Sequence, residues 1–245
     1  MLANIGLYSY GTAALAFGLL TLLIIFARRK QISGLPAVAA ALLTAVWAGC
    51  AVASTLQPYP LILLMQFAET ARNLAWLLLL ILLLSTRMAG TAHILASKRW
   101  IPLFAIVCLL SLAGLLAPVY LPEKLQLSGD AQSSLVFGLL LAMAILALLL
   151  LEQIFRNSTM QERWSIKHLC LGLGLIYTYD FFMYSEALLF RQLDGNLWQA
   201  RGFVVAIAGA TQALGVFVRS LLGRDFVPGF GWLPGGVIEP NFDPG

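Results

Sequence analysis

Long runs of apolar residues dominate this chain, and short polar segments separate them. In a helix, about 20 apolar residues span the ~30 Å hydrocarbon layer of a membrane. Seven runs approach or exceed that length, and we predict a membrane-crossing helix for each: 5–26, 35–56, 61–85, 101–118, 132–152, 167–189 and 201–220. The predicted fold class is therefore all-α, a polytopic membrane bundle of about seven transmembrane helices.

Composition supports this assignment. The chain is 60% hydrophobic and 11% charged, and its mean hydropathy is +0.88. A soluble domain carries about 25% charged residues, so the charges here are too few to cover a water-facing surface. We therefore expect the lipid bilayer to be the main partner of residues 1–222. We expect the Gly- and Pro-rich segment 223–245 to be a disordered or loosely attached tail.

Lysine and arginine residues indicate the orientation of the predicted helices, because they accumulate in cytoplasmic loops. Eleven follow predicted spans one, three, five and seven, whereas Lys124, Arg191 and Arg201 lie in the loops on the other side. Arg72 lies inside the third span. This asymmetry predicts an N-terminus outside and a C-terminus in the cytoplasm.

Two of the predicted spans contain polar residues that are costly in lipid. An ionisable side chain at the centre of an isolated membrane helix costs about 2.5–3.5 kcal/mol on insertion scales, so such residues usually face a bundle interior and pair. The candidate polar network consists of Glu69, Arg72 and Asn73 in the third span and Tyr177, Asp180, Tyr184 and Glu186 in the sixth.

The depths of two of these residues predict a contact. At 1.5 Å per residue, Arg72 and Asp180 both lie roughly 15 Å below the outer boundary, because their helices run in opposite directions. We predict a buried Arg72–Asp180 pair surrounded by Glu69, Asn73 and Tyr184. Three roles fit such a network: a structural clasp that fixes helix register, a joint that moves when a signal arrives, and a site for a small molecule or ion.

Other chemistry finds little support in the sequence. The three cysteines lie in apolar runs without metal-ligand spacing, and His93 and His168 fit solvated or capping positions near the cytoplasmic boundary. No hydrolase, zinc-protease or phosphate-loop motif is present. We therefore expect no metal, no cofactor in this chain and no nucleic-acid partner.

Several long strings of the sequence resemble one known family. They are LEQIFRN, RWSIKHLCLGLG, YDFFMYSEALLFRQLD and WQARGF between residues 151 and 203, together with ETARNLAW in the third span and the opening LYSYGTAALAF. Over roughly residues 1–210 the chain resembles the membrane region of the histidine kinases associated with PEP-CTERM and exosortase systems, the PrsK family.

This resemblance implies a sensory domain in the inner membrane of a Gram-negative bacterium. Members of the family continue into a cytoplasmic kinase core that dimerises, binds ATP and Mg²⁺ and passes phosphate to a response regulator of exopolysaccharide genes. The resemblance thus implies a homodimer and a signalling partner. This chain departs from the family after about Ala210 and contains no phospho-acceptor or ATP-binding boxes, so we expect that it cannot phosphorylate a partner by itself.

Two other readings of the sequence stay open. One is a small multi-pass transporter, although no repeat between the two halves of the chain is evident. The other is a membrane-embedded scaffold or enzyme. The loops predicted outside the membrane are too short for a ligand-binding domain, so any sensing is expected within the helix bundle.

Overall fold

The protein is an all-helical bundle that ends in one short β pairing. The computed structural model describes residues 3–27, 35–56, 58–88, 129–158, 160–222, 226–227 and 231–232, with 102, 105, 106 and 109. The helices are α1 (Ala3–Ala27), α2 (Leu35–Leu56), α3 (Pro58–Met88), α4 (Gly129–Arg156), α5 (Met160–Phe190) and α6 (Gly195–Leu222). Two short strands, β1 (Phe226–Val227) and β2 (Gly231–Trp232), pair antiparallel.

Six of the seven predicted spans coincide with these helices. The helix predicted over 101–118 lies largely outside the described residues, as does most of the predicted tail 223–245. Five helices are long and apolar enough to cross a membrane, as judged by length and composition over the described residues; α5 is not among them. The structure therefore fits a multi-pass membrane protein.

The described helices form a closed ring. Each packs on its neighbour in the chain, and α6 closes the ring by packing on α1. Successive helices from α1 to α3 run antiparallel. Gly6 near the start of α1 lies close to Thr55 near the end of α2, and Trp76 of α3 donates a hydrogen bond to Thr44 of α2. The helix direction alternates again from α4 to α6, with turns at 157–158 and 191–194 between them. Since Glu69 contacts Tyr184 at the far end of α5, α3 and α4 run in the same direction.

Large apolar side chains cover the outside of the ring, and a few charged side chains lie in an interior that is otherwise mostly apolar. The outer surface of the ring carries large apolar side chains, among them Leu15, Leu19 and Leu22 on α1 and Phe203, Ile207, Leu214 and Phe217 on α6. Charged side chains lie inside: Arg72, Asp180 and Arg201 are at most 1% exposed. Buried charges behind an apolar exterior are the arrangement expected for helices whose outer face contacts lipid.

Small residues bring α6 close to its neighbours. A Cβ atom added to Gly202 would lie 2.6 Å from the backbone of Ser9, and one added to Gly209 would lie 2.9 Å from the ring of Phe17. These two glycines are seven residues apart and the α1 residues nearest to them are eight apart, in the same order, because α1 and α6 run in parallel. Glycine at these positions permits the backbone approach that packing in lipid requires.

Candidate functional site

Two arginines and two carboxylates meet inside the ring, contributed by α3, α5 and α6. Asp180 Oδ2 accepts hydrogen bonds from Arg72 Nη2 at 3.1 Å and from Arg201 Nη2 at 2.8 Å. Asp180 Oδ1 accepts a third from Arg201 Nε at 2.7 Å. Arg201 thus binds Asp180 through two parallel hydrogen bonds, the arrangement that makes a guanidinium–carboxylate pair strong and directional. Asp180 is the centre of the cluster.

Glu69 extends the cluster towards one end of the bundle. Its Oε1 lies 2.6 Å from Arg201 Nη1, and the Tyr184 hydroxyl donates to the same oxygen at 2.5 Å. The contact with Arg201 has the distance of an ion pair without the direction of a hydrogen bond, since Nη1 has no well-aligned acceptor among the described residues. We name Glu69, Arg72, Asp180 and Arg201 the charge cluster. Its four formal charges sum to zero.

Aromatic rings surround the two guanidinium groups. Trp47 of α2 lies beside both, with its ring centroid 4.2 Å from Arg72 Cζ and 4.8 Å from Arg201 Cζ. Arg201 Cζ also lies 5.4 Å from the Tyr184 ring and 5.2 Å from the Trp198 ring. An aromatic face attracts a cation within about 6 Å, and the attraction grows where water is excluded. These contacts help to offset the removal of the arginines from water.

Local structure at the start of α6 brings Arg201 into the ring. The Asp194 carboxylate accepts a hydrogen bond from the backbone N–H of Asn196 at 2.7 Å, so Asp194 caps the helix. The Tyr10 hydroxyl donates to the Trp198 carbonyl at 2.6 Å, and the Tyr179 hydroxyl donates to the Leu197 carbonyl at 2.8 Å. With α6 beginning at Gly195, Arg201 comes about two turns inside the helix.

The structure brings together most of the candidate residues named from the sequence. Arg72 and Asp180 are in contact, as their depths predicted. Glu69 and Tyr184 lie beside them, and Asn73 Oδ1 accepts from Arg72 Nη2 at 3.0 Å. Whether these residues bind a ligand or respond to a signal stays a prediction.

Two candidates do not join the cluster by hydrogen bonds. The Tyr177 hydroxyl is buried, and it has no hydrogen-bond partner among the described residues. The buried Oε2 of Glu186 likewise has no hydrogen-bond partner among the described residues.

Sequence reasoning missed Arg201 and Trp47. Arg201 was assigned to a loop because the seventh span was predicted to begin there. The Asp-Gly-Asn sequence at 194–196 is the signal that could have placed it correctly, since aspartate before a glycine commonly caps a helix. Trp47 carries no such signal, because it lies in an apolar run where a tryptophan is an ordinary lipid-facing or core residue.

The arrangement offers hydrogen bonding and charge but no catalytic constellation. Among the described residues, no group of three or more His, Cys, Asp and Glu side chains could hold a metal ion. Cys50 forms no disulfide with any described residue. No family model, curated protein or solved structure matches the chain.

Proposed function

We propose that this chain is the membrane-embedded sensory domain of a two-component histidine kinase of the inner membrane, with α6 as the helix that passes the signal to the cytoplasm. The observation that carries the proposal is the charge cluster, because it joins the last long helix to two others through buried charges. Arg201 of α6 contacts both Glu69 and Asp180. A change in the bundle interior shifts α6 if it favours one of these contacts over the other. The resemblance of this chain to the membrane region of kinases associated with PEP-CTERM systems supports the same assignment.

The energetics favour a joint with two states over a rigid core. Removing one partner of a buried ion pair costs about 3–5 kcal/mol because it leaves an uncompensated buried charge, so a shift of Arg201 from one carboxylate to the other avoids leaving it unpaired. Arg201 has two carboxylate partners on different helices, and Asp180 has two arginine partners. Arg201 can therefore shift between Glu69 and Asp180 while Asp180 keeps its contact with Arg72.

The helix directions support the proposed seven-span arrangement. Because α3 and α4 run in the same direction, the chain between Met88 and Gly129 has to return from one end of the bundle to the other. A membrane-crossing helix over 101–118 accounts for that return. With seven spans, the lysine and arginine asymmetry orients the end of α6 towards the cytoplasm, where a kinase core and its response regulator act.

A kinase fusion tests the proposal. Residues 1–222 are joined to the dimerisation and ATP-binding core of a histidine kinase, in a series that adds one residue at a time over one helical turn. We expect autophosphorylation in membrane vesicles to vary with the added length. Each added residue turns the kinase core about the helix axis relative to the bundle, so a movement of α6 reaches the core in a different orientation. Arg201→Gln should change the output by a factor on the order of ten, because losing a buried partner exceeds the about 1.4 kcal/mol that gives a tenfold shift.

Arg156→Gln is the matched control. Arg156 pairs with Glu152 at 3.4 Å on the exposed surface, so its loss should leave autophosphorylation unchanged. The proposal would be contradicted if fusions of every linker length and the Arg201→Gln variant gave equal autophosphorylation while all of these proteins were present in the membrane.

A small-molecule transporter is a second candidate, favoured by a cavity that borders Glu69. Uptake into proteoliposomes that depends on Glu69, with no effect on a fused kinase, would favour this reading.

A further inference from the structure

A cavity of about 290 Å³ lies beside the charge cluster, at the end of the bundle where α3, α4 and α6 begin and α5 ends. Its lining consists of Met65, Gln66, Glu69, Phe137, Tyr184, Leu193, Gly195 and Trp198. At the ~30 Å³ that a water molecule occupies in the liquid, this volume takes roughly ten non-hydrogen atoms. The cavity thus fits a small molecule and is too small for most drug-sized ligands.

Glu69 presents one unused oxygen at this cavity. The hydrogen bond and the ion pair that Glu69 makes with described residues both use Oε1. Its side chain is 6% exposed, so bulk water solvates the carboxylate little. A ligand that donates a hydrogen bond to Oε2 satisfies the carboxylate, and an ammonium group does so with charge assistance.

The walls of the cavity also favour a cation. Phe137 and Tyr184 stack with their centroids 6.4 Å apart, and Trp198 adds a third ring. Rings of this kind attract cations, as Tyr184 and Trp198 already do with Arg201. An anionic ligand would face the Glu69 carboxylate and is disfavoured. A neutral ligand can pack against the apolar walls. It gains nothing, however, from the attraction that the rings and the carboxylate exert on a positive charge.

We infer that this cavity binds a small organic cation, an ammonium group on an apolar body of about ten non-hydrogen atoms, with the ammonium on Glu69 and the body against Phe137, Tyr184 and Trp198. Such a cation competes with Arg201 for Glu69 and weakens one of the two carboxylate contacts of α6. The effect on α6 as a signal rests on the proposed function, whereas the binding does not.

Two probes of equal size test the inference. Phenylethylammonium and 2-phenylethanol have nine non-hydrogen atoms each and differ in charge. Each is titrated at neutral pH into the full chain in nanodiscs, and binding is followed by calorimetry. We expect saturable binding of the ammonium at least roughly tenfold tighter than that of the alcohol, since a charge-assisted hydrogen bond discriminates by about that factor. Equal affinities would overturn the inference.

Two variants locate the binding. Glu69→Gln should reduce the affinity for the ammonium roughly tenfold or more and leave that for the alcohol nearly unchanged. Leu193→Trp fills the cavity from the turn before α6 without altering any member of the charge cluster, and should abolish binding of both probes. Phe182→Ala, on the exposed face of α5, is the control and should bind as the unmodified chain does.

The outcomes separate this inference from the proposed function. Unchanged ammonium binding in Leu193→Trp would overturn the inference even where Glu69→Gln fails to fold. Binding at this cavity without a response of the fused kinase would uphold the inference and contradict the sensory proposal. A kinase fusion whose autophosphorylation varies as proposed, in a chain that binds neither probe, would uphold the sensory proposal and overturn the inference.

Discussion

Asp180 is the residue on which the charge cluster depends. It receives three hydrogen bonds from two arginines, and without it both guanidinium groups would lie in an apolar interior with one carboxylate between them. A buried ion pair adds little net stability over a well-packed apolar core, because the charges lose their hydration. Removal of one member is costly all the same, because it leaves its partner as an uncompensated buried charge.

A double substitution within the cluster tests this charge balance. Glu69→Gln leaves one excess positive charge and Arg72→Gln one excess negative charge, so each should lower the free energy of unfolding by about 3–5 kcal/mol. The double variant keeps the neutral Arg201–Asp180 pair, and its loss should be smaller than the sum of the two by at least about 1 kcal/mol. The measurement is unfolding in mixed micelles with increasing sodium dodecyl sulfate.

Arg156→Gln serves again as the surface control, with an expected change within about 0.5 kcal/mol. Strictly additive losses would show that Glu69 and Arg72 do not share a charge network. Exchanging the charges of Arg72 and Asp180 is a poorer test, because a new arginine at position 180 would face Arg201.

Helix packing decides how precisely the cluster is held. Arg201 belongs to α6, and α6 is placed by its close approach to α1 at Gly202 and Gly209 and to α5 at Gly172. Near Gly202 the approaching atoms are backbone atoms of Ser9 and Tyr10, which move only if the whole helix moves. The position of Arg201 therefore depends on the residue that follows it.

Gly202→Ala tests this dependence at the scale of the element. In a helix, alanine normally stabilises by about 0.5–1 kcal/mol over glycine, but here its Cβ would meet the backbone of α1. We expect a net loss of about 1–3 kcal/mol in the free energy of unfolding, the usual cost of overpacking.

Gly174→Ala is the matched control, because no atom lies within 4 Å of a Cβ added there. It should be neutral or slightly stabilising. If both variants behave alike, α1 and α6 do not approach each other as closely as described.

The whole molecule combines a closed ring of described helices with a charge cluster buried near one end. The ring positions the cluster between helices that begin far apart in the sequence, with α3 and α5 meeting across the interior at Arg72 and Asp180. The ring keeps water from Arg72, Asp180 and Arg201, which are at most 1% exposed, so water replaces a partner lost from these residues poorly. On the proposed function, the pairing of Arg201 responds to what occupies the adjacent cavity.

Reporter fusions test the orientation of the molecule. The excess of lysine and arginine around the end of α6 and around the turn between α4 and α5 predicts that these ends face the cytoplasm. A fluorescent protein joined after Leu222 should therefore fluoresce, and alkaline phosphatase inserted in the turn 191–194 should be active in the periplasm. The opposite pattern would reverse the orientation and remove α6 as an output helix.

The sequence alone determined the class of protein and much of the polar network. Run length predicted membrane-crossing helices, because the hydrocarbon thickness sets the number of residues per span. The cost of charge in lipid indicated that Glu69, Arg72 and Asp180 face inward, and helix rise placed two of them at one depth. These inferences depend on distances along a single helix, which a sequence contains.

Only the tertiary structure decided the order of the ring, the parallel course of α3 and α4 and the inclusion of Arg201 and Trp47. In a soluble helix an apolar stripe identifies the packed face. In lipid the packed face and the outer face are equally apolar, so no such stripe distinguishes them. Which helices are neighbours, and which side chains their contact brings together, therefore depends on close packing between distant segments that the pattern of residues does not encode.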